Sequence, residues 1–441
     1  MKTANVVMGV VVAACLSFVA IACGEDEETP SATTTGAATG TAAATTEASP
    51  TPAADVPGIS DTEIVLGQHM SLSGTYGAIY GLLPQAAKAY FNYVNETQGG
   101  VCGRKIVLKV EDDKDDPGEG LAATRKLAEQ DKVFAFVGNS GVAGHPAAWE
   151  YLNEKGIPDL LVAGGIYRFY SDPQGHPWTV SAIPDYRLEG RMYGEYISLN
   201  LPGKKVGILY ANHEGGLDGL AGLRDGLDPE KNELVSEKSF ELTDIEVFST
   251  VQAIYRAGAE VLVTHAGPGP TIQAIKAADR MGWKPDAIFV QYTNADVALL
   301  GGVRSELLEG TITLGAFKLS DWRDDPAVAE HYEIMQKYGG PAPNMLTIFA
   351  QVTAEVTVEV LSRTCDNLTR EGLMDAMESL RDWHSDLAPD GVNFTVTKTD
   401  HLLIESGRFL RVVLKDGKPK FEYFGPLYSL EGGEFKIIEG Y

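Results

Sequence analysis

An α/β architecture of parallel βαβ units arranged as two lobes is what this sequence predicts, on three observations. Short β-branched runs alternate with amphipathic helical stretches from Glu63 onward. The alternation comes in two separate series. A block of helices and then hairpin-like strands follow them, so the two series read as lobes whose chains interleave around a cleft.

The first series opens with a strand over Ile64–Met70. Leu82–Gln98 follows as a helix, because Ala86, Ala87, Tyr90, Phe91 and Val94 recur at helical spacing. Pro84 falls in its first turn, where a missing N–H is harmless. Strands over Lys105–Glu111, Val133–Val137 and Asp159–Ala163 alternate with helices over Leu121–Gln130 and Ala147–Glu154. The second series holds strands over Lys205–Tyr210, Ala259–His265 and Ala287–Gln291, with helices over Leu217–Leu227, Ile245–Ala257 and Thr271–Met281. Ala327–Lys337, Met345–Ser362 and Arg370–Leu380 form the helical block. After Thr395 the chain becomes hairpin-like, with Asp416-Gly417 and Gly432-Gly433 as turn signals.

Ahead of this body, Lys2 precedes an apolar run from Val6 to Ala22 that is too short and too near the N-terminus for a comfortable transmembrane helix. Ala20-Ile21-Ala22 directly before Cys23 resembles the lipobox of bacterial lipoproteins. That resemblance implies that residues 1–22 are a signal peptide and that Cys23 is the lipidated first residue of the mature chain. Each buried CH₂ of an acyl chain contributes about 0.8 kcal/mol, so a multi-chain anchor holds a soluble domain at a membrane. The alternative is an ordinary secretory signal cleaved near Ala22. Residues 23–58 carry this Cys and a Thr/Ala/Ser/Pro-rich stretch with almost nothing to form a core, which reads as a disordered linker. Such a chain spans roughly 30–35 Å on average. No other apolar run is long enough to span a bilayer.

The chain holds 36 basic and 61 acidic residues, a formal charge of −25. That balance excludes nucleic acid and an anionic lipid surface as attractive partners. Cys15 lies in the signal and Cys23 is the lipid candidate, which leaves Cys102 and Cys365. In an oxidising compartment these either pair, closing a very long loop, or remain two separate buried thiols.

An ordered set of short motifs then carries a family resemblance. Leu72-Ser73-Gly74 with Tyr80-Gly81 follows the first strand, Gly99-Gly100-Val101-Cys102-Gly103-Arg104-Lys105-Ile106 precedes the second, and Asp112-Asp113 ends it. Val137-Gly138, Gly156-Ile157-Pro158, Asp172-Pro173, Pro184-Asp185, Trp322 with Asp324-Asp325-Pro326, Asn367-Leu368-Thr369-Arg370-Glu371 and Asp400-His401 come in order after them. Over about Ile59 to Gly425 the chain resembles the solute-binding proteins of branched-chain amino acid and amide ABC transporters, the type I periplasmic binding proteins of the leucine/isoleucine/valine kind. The resemblance implies two doubly wound α/β lobes joined by three crossovers, near Ile183–Asp185, Phe317–Leu319 and Asp400–Leu403, that close on a ligand by hinge bending. Lobe 1 then comprises residues 59–183 and 320–401, and lobe 2 residues 184–319 and 402–441. Cys102 and Cys365 both fall in lobe 1, which is compatible with a bond between them.

Sites in open α/β sheets lie at the carboxyl ends of strands, where helix N-termini suit a carboxylate. The family's carboxylate-binding positions map to Gly141 and to Ala163, Gly164 and Gly165, with Ser140 nearby and Tyr167 in the second loop. The usual Ser at Gly141 and the usual Thr at Gly165 are missing. The aromatic wall maps to Tyr80, with Tyr76 close in sequence. On lobe 2 a common Tyr is replaced by Gly215, beside His213 and Glu214, and His265 ends a strand. Amino-acid binders usually place an acid after Gln291 to pair with the ligand ammonium, and here Tyr292-Thr293-Asn294 stand instead. An ammonium buried without a counter-charge is costly, so a neutral or anionic ligand is expected unless Glu214 or Asp185 replaces the acid.

There is no Gly-x-Ser-x-Gly elbow, no phosphate-binding Gly-x-x-x-x-Gly-Lys loop and no His-Glu-x-x-His, and the eight His are scattered. Glu111 to Asp116 lacks the alternate-ligand spacing of a Ca²⁺ loop. The expectation is therefore a non-enzymatic monomeric receptor without cofactor or metal, outside the cytoplasm. It is held by lipid at the membrane and delivers a small molecule to an ABC permease. A ligand-sensing lipoprotein that presents solute to a membrane signalling partner is the alternative, and a secreted α/β hydrolase is a third that lacks a nucleophile and base.

Overall fold

The computed structural model describes residues 56–439 apart from Ile245, without the side chains of Thr75 and Tyr76. The signal segment, Cys23 and most of the linker lie outside the described residues. β1 (Glu63–Met70) buries Ile64, Leu66 and Met70 completely, as a strand covered on both faces must. It lies between β2 (Lys105–Asp112) and β3 (Ala135–Val137), and β4 (Asp159–Val162) and β5 (Thr179–Ser181) complete a parallel sheet of order β2-β1-β3-β4-β5. The helices between these strands are α1 (Gly74–Tyr80), α2 (Leu82–Thr97), α3 (Pro117–Arg125) and α4 (Pro146–Lys155). α3 starts four residues before its sequence expectation. The Asp116 side chain accepts from the Gly118 and Glu119 amides, and Pro117 occupies the first helical position.

The chain then leaves this sheet through α5 (Tyr186–Asn200), a helix the sequence reading passed over. β6 (Lys205–Ala211), α6 (Glu214–Gly226), β7 (Glu233–Phe240), α7 (Phe248–Arg256), β8 (Val261–His265), α8 (Pro268–Arg280), β9 (Ala287–Val290), α9 (Ser305–Leu308) and β10 (Ile312–Gly315) follow. α10 (Pro326–Lys337), α11 (Met345–Ser362) and α12 (Arg370–Met377) return to pack with the first sheet in one apolar core. β11 (Ser406–Lys415) and β12 (Lys418–Ser429), a hairpin on Asp416-Gly417, and β13 (Lys436–Ile438) add antiparallel strands to the second sheet. Its order is β13-β12-β11-β10-β9-β8-β6-β7.

Two α/β lobes result, and the chain crosses between them three times, after β5, after β10 and before β11. Backbone bonds tie the crossings together: Ser181 N donates to His401 O at 2.9 Å, Leu403 N to Ser181 O at 2.9 Å, and Lys318 N to Leu387 O at 2.7 Å. Cys102 and Cys365 form a disulfide, with Cα atoms 5.2 Å apart, joining the turn before β2 to the turn after α11. One expectation fails at α11. By length and composition this 18-residue helix could cross a membrane, but 72% of it is buried, and its Ile348, Val352, Val356 and Val360 belong to the first core. α5 and α6 lie backbone to backbone because Gly190 and Gly194 face Gly219, Gly222 and Gly226. A Cβ on Gly190 would lie 2.2 Å from the Gly219 carbonyl oxygen.

Candidate functional site

α5 begins where the two lobes meet. Its N-cap Asp185 accepts from the Arg187 and Leu188 amides, and Tyr186 N donates to Gly165 O of the first lobe at 2.8 Å. The Tyr186 ring consequently stands between two glycines. A Cβ on Gly165 would lie 2.7 Å from one edge of that ring, and a Cβ on Gly215 2.7 Å from the other. The two departures noted in the sequence, no Thr at Gly165 and no Tyr at Gly215, therefore share one steric cause. The ring meets His265 edge-on at 5.2 Å and stacks on Tyr292 at 6.1 Å. Burial, then the proximity of Tyr80 and Glu189, pushes the Tyr186 phenol far above its ordinary pKa, and Tyr292 is raised chiefly by the same burial. Both phenols are neutral and serve as hydrogen-bonding edges on an aromatic wall.

Beneath them sits an acid that the sequence reading missed. Glu189, one turn along α5, is fully buried. Its Oε1 accepts the Tyr292 amide at 2.5 Å and the Tyr193 hydroxyl at 2.6 Å. Its Oε2 lies 3.2 Å from His265 Nε2, but neither atom has an aligned hydrogen-bond partner. The tautomer of His265 follows from its neighbours. Thr293 Oγ1 donates to Gln291 Oε1 at 2.8 Å, which turns the Gln291 amide nitrogen toward His265 Nδ1 at 3.4 Å. Nδ1 then accepts, the ring proton sits on Nε2, and His265 is neutral. Glu189 thus places a buried carboxyl oxygen without an aligned donor beside Tyr292, at the position where the sequence shows no acid. The expectation of a neutral or anionic ligand rested on the absence of an acid beside Tyr292, and Glu189 supplies one there. Glu214 and Asp185 do not fill the role. Glu214 forms a two-pronged pair with Arg168 at the rim, and Asp185 caps α5.

The other expected site residues are less closely gathered. Ser140 Oγ donates to Ala163 O at 3.0 Å, and Ala163 N donates to Asn139 O at 2.7 Å, so that hydroxyl and that amide are already engaged. Gly141 has φ 125°. A Cβ there would lie 2.9 Å from Asp115 Oδ1, and one on Gly164 would lie 3.0 Å from the Phe169 ring. His213 caps α6 through Nδ1, and burial pushes its pKa down. Tyr167 is 38% exposed at the rim, where its amide donates to Asp218 Oδ2 at 2.9 Å and Arg187 lies over its ring at 4.9 Å. Tyr80 closes α1 and lies near the phenols of Tyr186 and Tyr292. Among the described residues no group of His, Cys, Asp and Glu is arranged to hold a metal ion.

The sequence model of a family described as "Periplasmic binding protein" matches residues 63–418. A Leu/Ile/Val-binding protein homolog 1 of Brucella suis biovar 1 (strain 1330) is 24% identical over 325 residues, covering 70% of this chain and 81% of the relative. An amino acid binding protein of Pseudomonas aeruginosa is 28% identical over 225 residues, which is 48% of this chain and 56% of that relative's length. A branched-chain amino acid ABC transporter protein from Thermus thermophilus, solved with bound valine, superposes with a TM-score of 0.72 at 19% identity, over 83% of this chain and 97% of that one. The family is one of solute-binding proteins that work outside the cytoplasm with ABC transporters. With its two lobes, its triple crossing and the family match over most of its length, the chain belongs to the type I periplasmic binding proteins of the leucine/isoleucine/valine kind.

Proposed function

We propose that this protein captures a small amino-acid-like carboxylate between its lobes and hands it to an ABC permease, held at the membrane by lipid on Cys23. The lobes divide at 59–183 with 320–401 and at 184–319 with 402–441, and close as one monomer around the ligand. The observation that carries the ligand class is Glu189, a buried carboxylate whose Oε2 has no aligned donor and whose neighbour His265 is neutral. An ammonium group placed there meets a counter-charge in a low-dielectric site, where an unpaired charge of either sign would be costly. Tyr80, Tyr186 and Tyr292 flank it, and the loops at Ser140–Gly141 and Gly164–Gly165 receive the carboxylate. Relatives that bind amino acids support this reading.

The experiment is mass spectrometry of small molecules that copurify with the protein, followed by calorimetric titration. The expected ligand carries an amine and a carboxylate, binds at roughly micromolar or tighter Kd, about −8 kcal/mol, and loses at least tenfold in affinity with Glu189→Gln. A ligand without a cationic group that binds Glu189→Gln as well as wild type would overturn the assignment. Cys23→Ser, with the signal intact, is expected to move the protein from the membrane to the soluble fraction.

A further inference from the structure

Away from the cleft, the first lobe contains a chain of four buried ionisable side chains with an odd number of links. Asp113 Oδ2 lies 2.7 Å from His69 Nδ1, His69 Nε2 lies 2.9 Å from His145 Nδ1, and His145 Nε2 lies 2.9 Å from Asp159 Oδ2. All four side chains are inaccessible to solvent. Three links need three protons. Two neutral imidazoles bring only two, so one link would set lone pair against lone pair; two imidazolium rings bring four and would set N–H against N–H. Only the state with three protons satisfies the chain, and its charge is −1.

The surroundings place the extra proton. Asp159 Oδ1 accepts the Asn139 amide at 2.8 Å, and its Oδ2 also accepts the Thr179 hydroxyl at 3.4 Å, while that hydroxyl itself accepts from Asn153 at 2.8 Å. Asp113 Oδ1 accepts the Asp115 amide at 2.8 Å. Both carboxylates are thus surrounded by donors, which favours their ionised form. His69 is pushed below its ordinary pKa chiefly by burial, against the opposing pull of Asp113. A neutral His69 donates to Asp113 and accepts from His145. On the remaining faces Phe169 stands edge-on to His145 at 5.0 Å, and the carboxyl of Asp115, the ionisable neighbour of Asp113, turns away toward the Ala143 and Gly144 amides.

We infer that His145 is an imidazolium buried between His69 and Asp159, a proton-binding site that holds the loop 139–144 in place. His145 ends that loop and begins α4, Asn139 begins it and bonds both His69 N and Asp159, and Asp115 fastens its far side. Proton loss from this site leaves two carboxylates facing each other through neutral rings, and the loop loses a link. The effect on stability has a sign on each side of about pH 6.5, the ordinary imidazole pKa. Above it, the unfolded imidazoles are neutral and the folded chain binds about one proton more, so the folding constant falls about tenfold per pH unit. Below it, both unfolded imidazoles are charged and the folded chain binds one proton fewer, so stability falls again as pH drops.

The test uses ¹⁵N-histidine-labelled protein at pH 7.5, where a free imidazole is about nine-tenths neutral. A ring with both nitrogens protonated is expected whose signal is lost in His145→Gln and kept in His401→Gln, because His401 also faces two acceptors, Thr179 O at 2.8 Å and Glu378 Oε1 at 3.3 Å. A neutral His145 ring, with or without a protonated Asp159 carboxyl beside it, would overturn the inference. Above pH 7.5, wild type is expected to lose stability more steeply than Asp159→Asn by about one proton, and equal slopes would count against the site. Should Asp159→Asn fail to fold, the nitrogen spectra of wild type decide alone.

Discussion

Tyr186 owes its position to the absence of two side chains. At Gly165 the backbone has no left-handed requirement, so glycine is needed there for room, with Tyr186 Cε1 2.7 Å from where a Cβ would sit. Gly165→Val is therefore expected to leave the first lobe folded but to keep the lobes apart. Small-angle scattering should show that the variant no longer compacts when ligand is added, and Gly165→Val with Tyr186→Ala should recover the compaction. Compaction of the single variant to the wild-type radius would mean that the ring is not wedged between the lobes. Neither Tyr186 nor Glu189 was legible as a site residue. The glycines were read as lost functional groups, and their meaning as space for a side chain from elsewhere appears only when a third element is brought between them. His265 and Tyr292 were legible because strand ends in a parallel sheet point toward the cleft whatever the loop does.

At the scale of elements, periodic segments with clear ends were read well and α5 was not. Met345–Ser362 stands as expected, since Asn344 and Thr347 form a capping box and its apolar residues surround most of the helix. α5 carries comparable signals, an Asp185 cap and Leu188, Met192, Tyr193 and Ile197 on one buried face, but it lies between a crossover and Lys205–Tyr210, the strand that opens the second series. Its cap has a pH signature. Burial, outweighing bonds from Tyr170, Leu188 and Arg187, pushes Asp185 up to about 6. A carboxyl raised above its unfolded pKa of about 3.9 contributes stability that is fully present below about pH 4 and is lost as pH rises through about 6. The loss is on the order of 3 kcal/mol. Asp185→Asn keeps an acceptor for the two amides and cannot ionise. It is expected to melt above wild type at pH 7.5 and close to it at pH 4, and equal destabilisation at both pH values would refute the cause. The disulfide acts on another element pair. It closes a separation of 263 residues. Cys102→Ala with Cys365→Ala should therefore lower the unfolding free energy by about 2–5 kcal/mol. Coincident denaturation midpoints with and without reductant would contradict that expectation.

Over the whole molecule, contacts at the rim join the two lobes. The interleaved two-lobe plan was legible because βα alternation and turn residues are local signals. The partners that meet across the rim were not, because each lobe displays its rim residues as ordinary surface. Arg168, just after β4 in the first lobe, pairs in two prongs with Glu214 at the start of α6 in the second. Their side chains are 40% and 34% exposed, so the pair belongs to the weak class of about 0.2–1 kcal/mol. A difference of that size shifts the closed-to-open ratio by up to about fivefold, enough to tune capture without locking the lobes. Arg168→Ala should weaken ligand affinity by that factor, through faster release, and leave the melting of each lobe unchanged. Raising ionic strength to about 1 M, where the screening length is about 3 Å, should weaken wild type toward the variant and leave the variant little altered. An equal salt response in both proteins would place the salt-sensitive contact elsewhere, with Tyr167 and Asp218 the next pair across the rim, joined from amide to carboxylate at 2.9 Å.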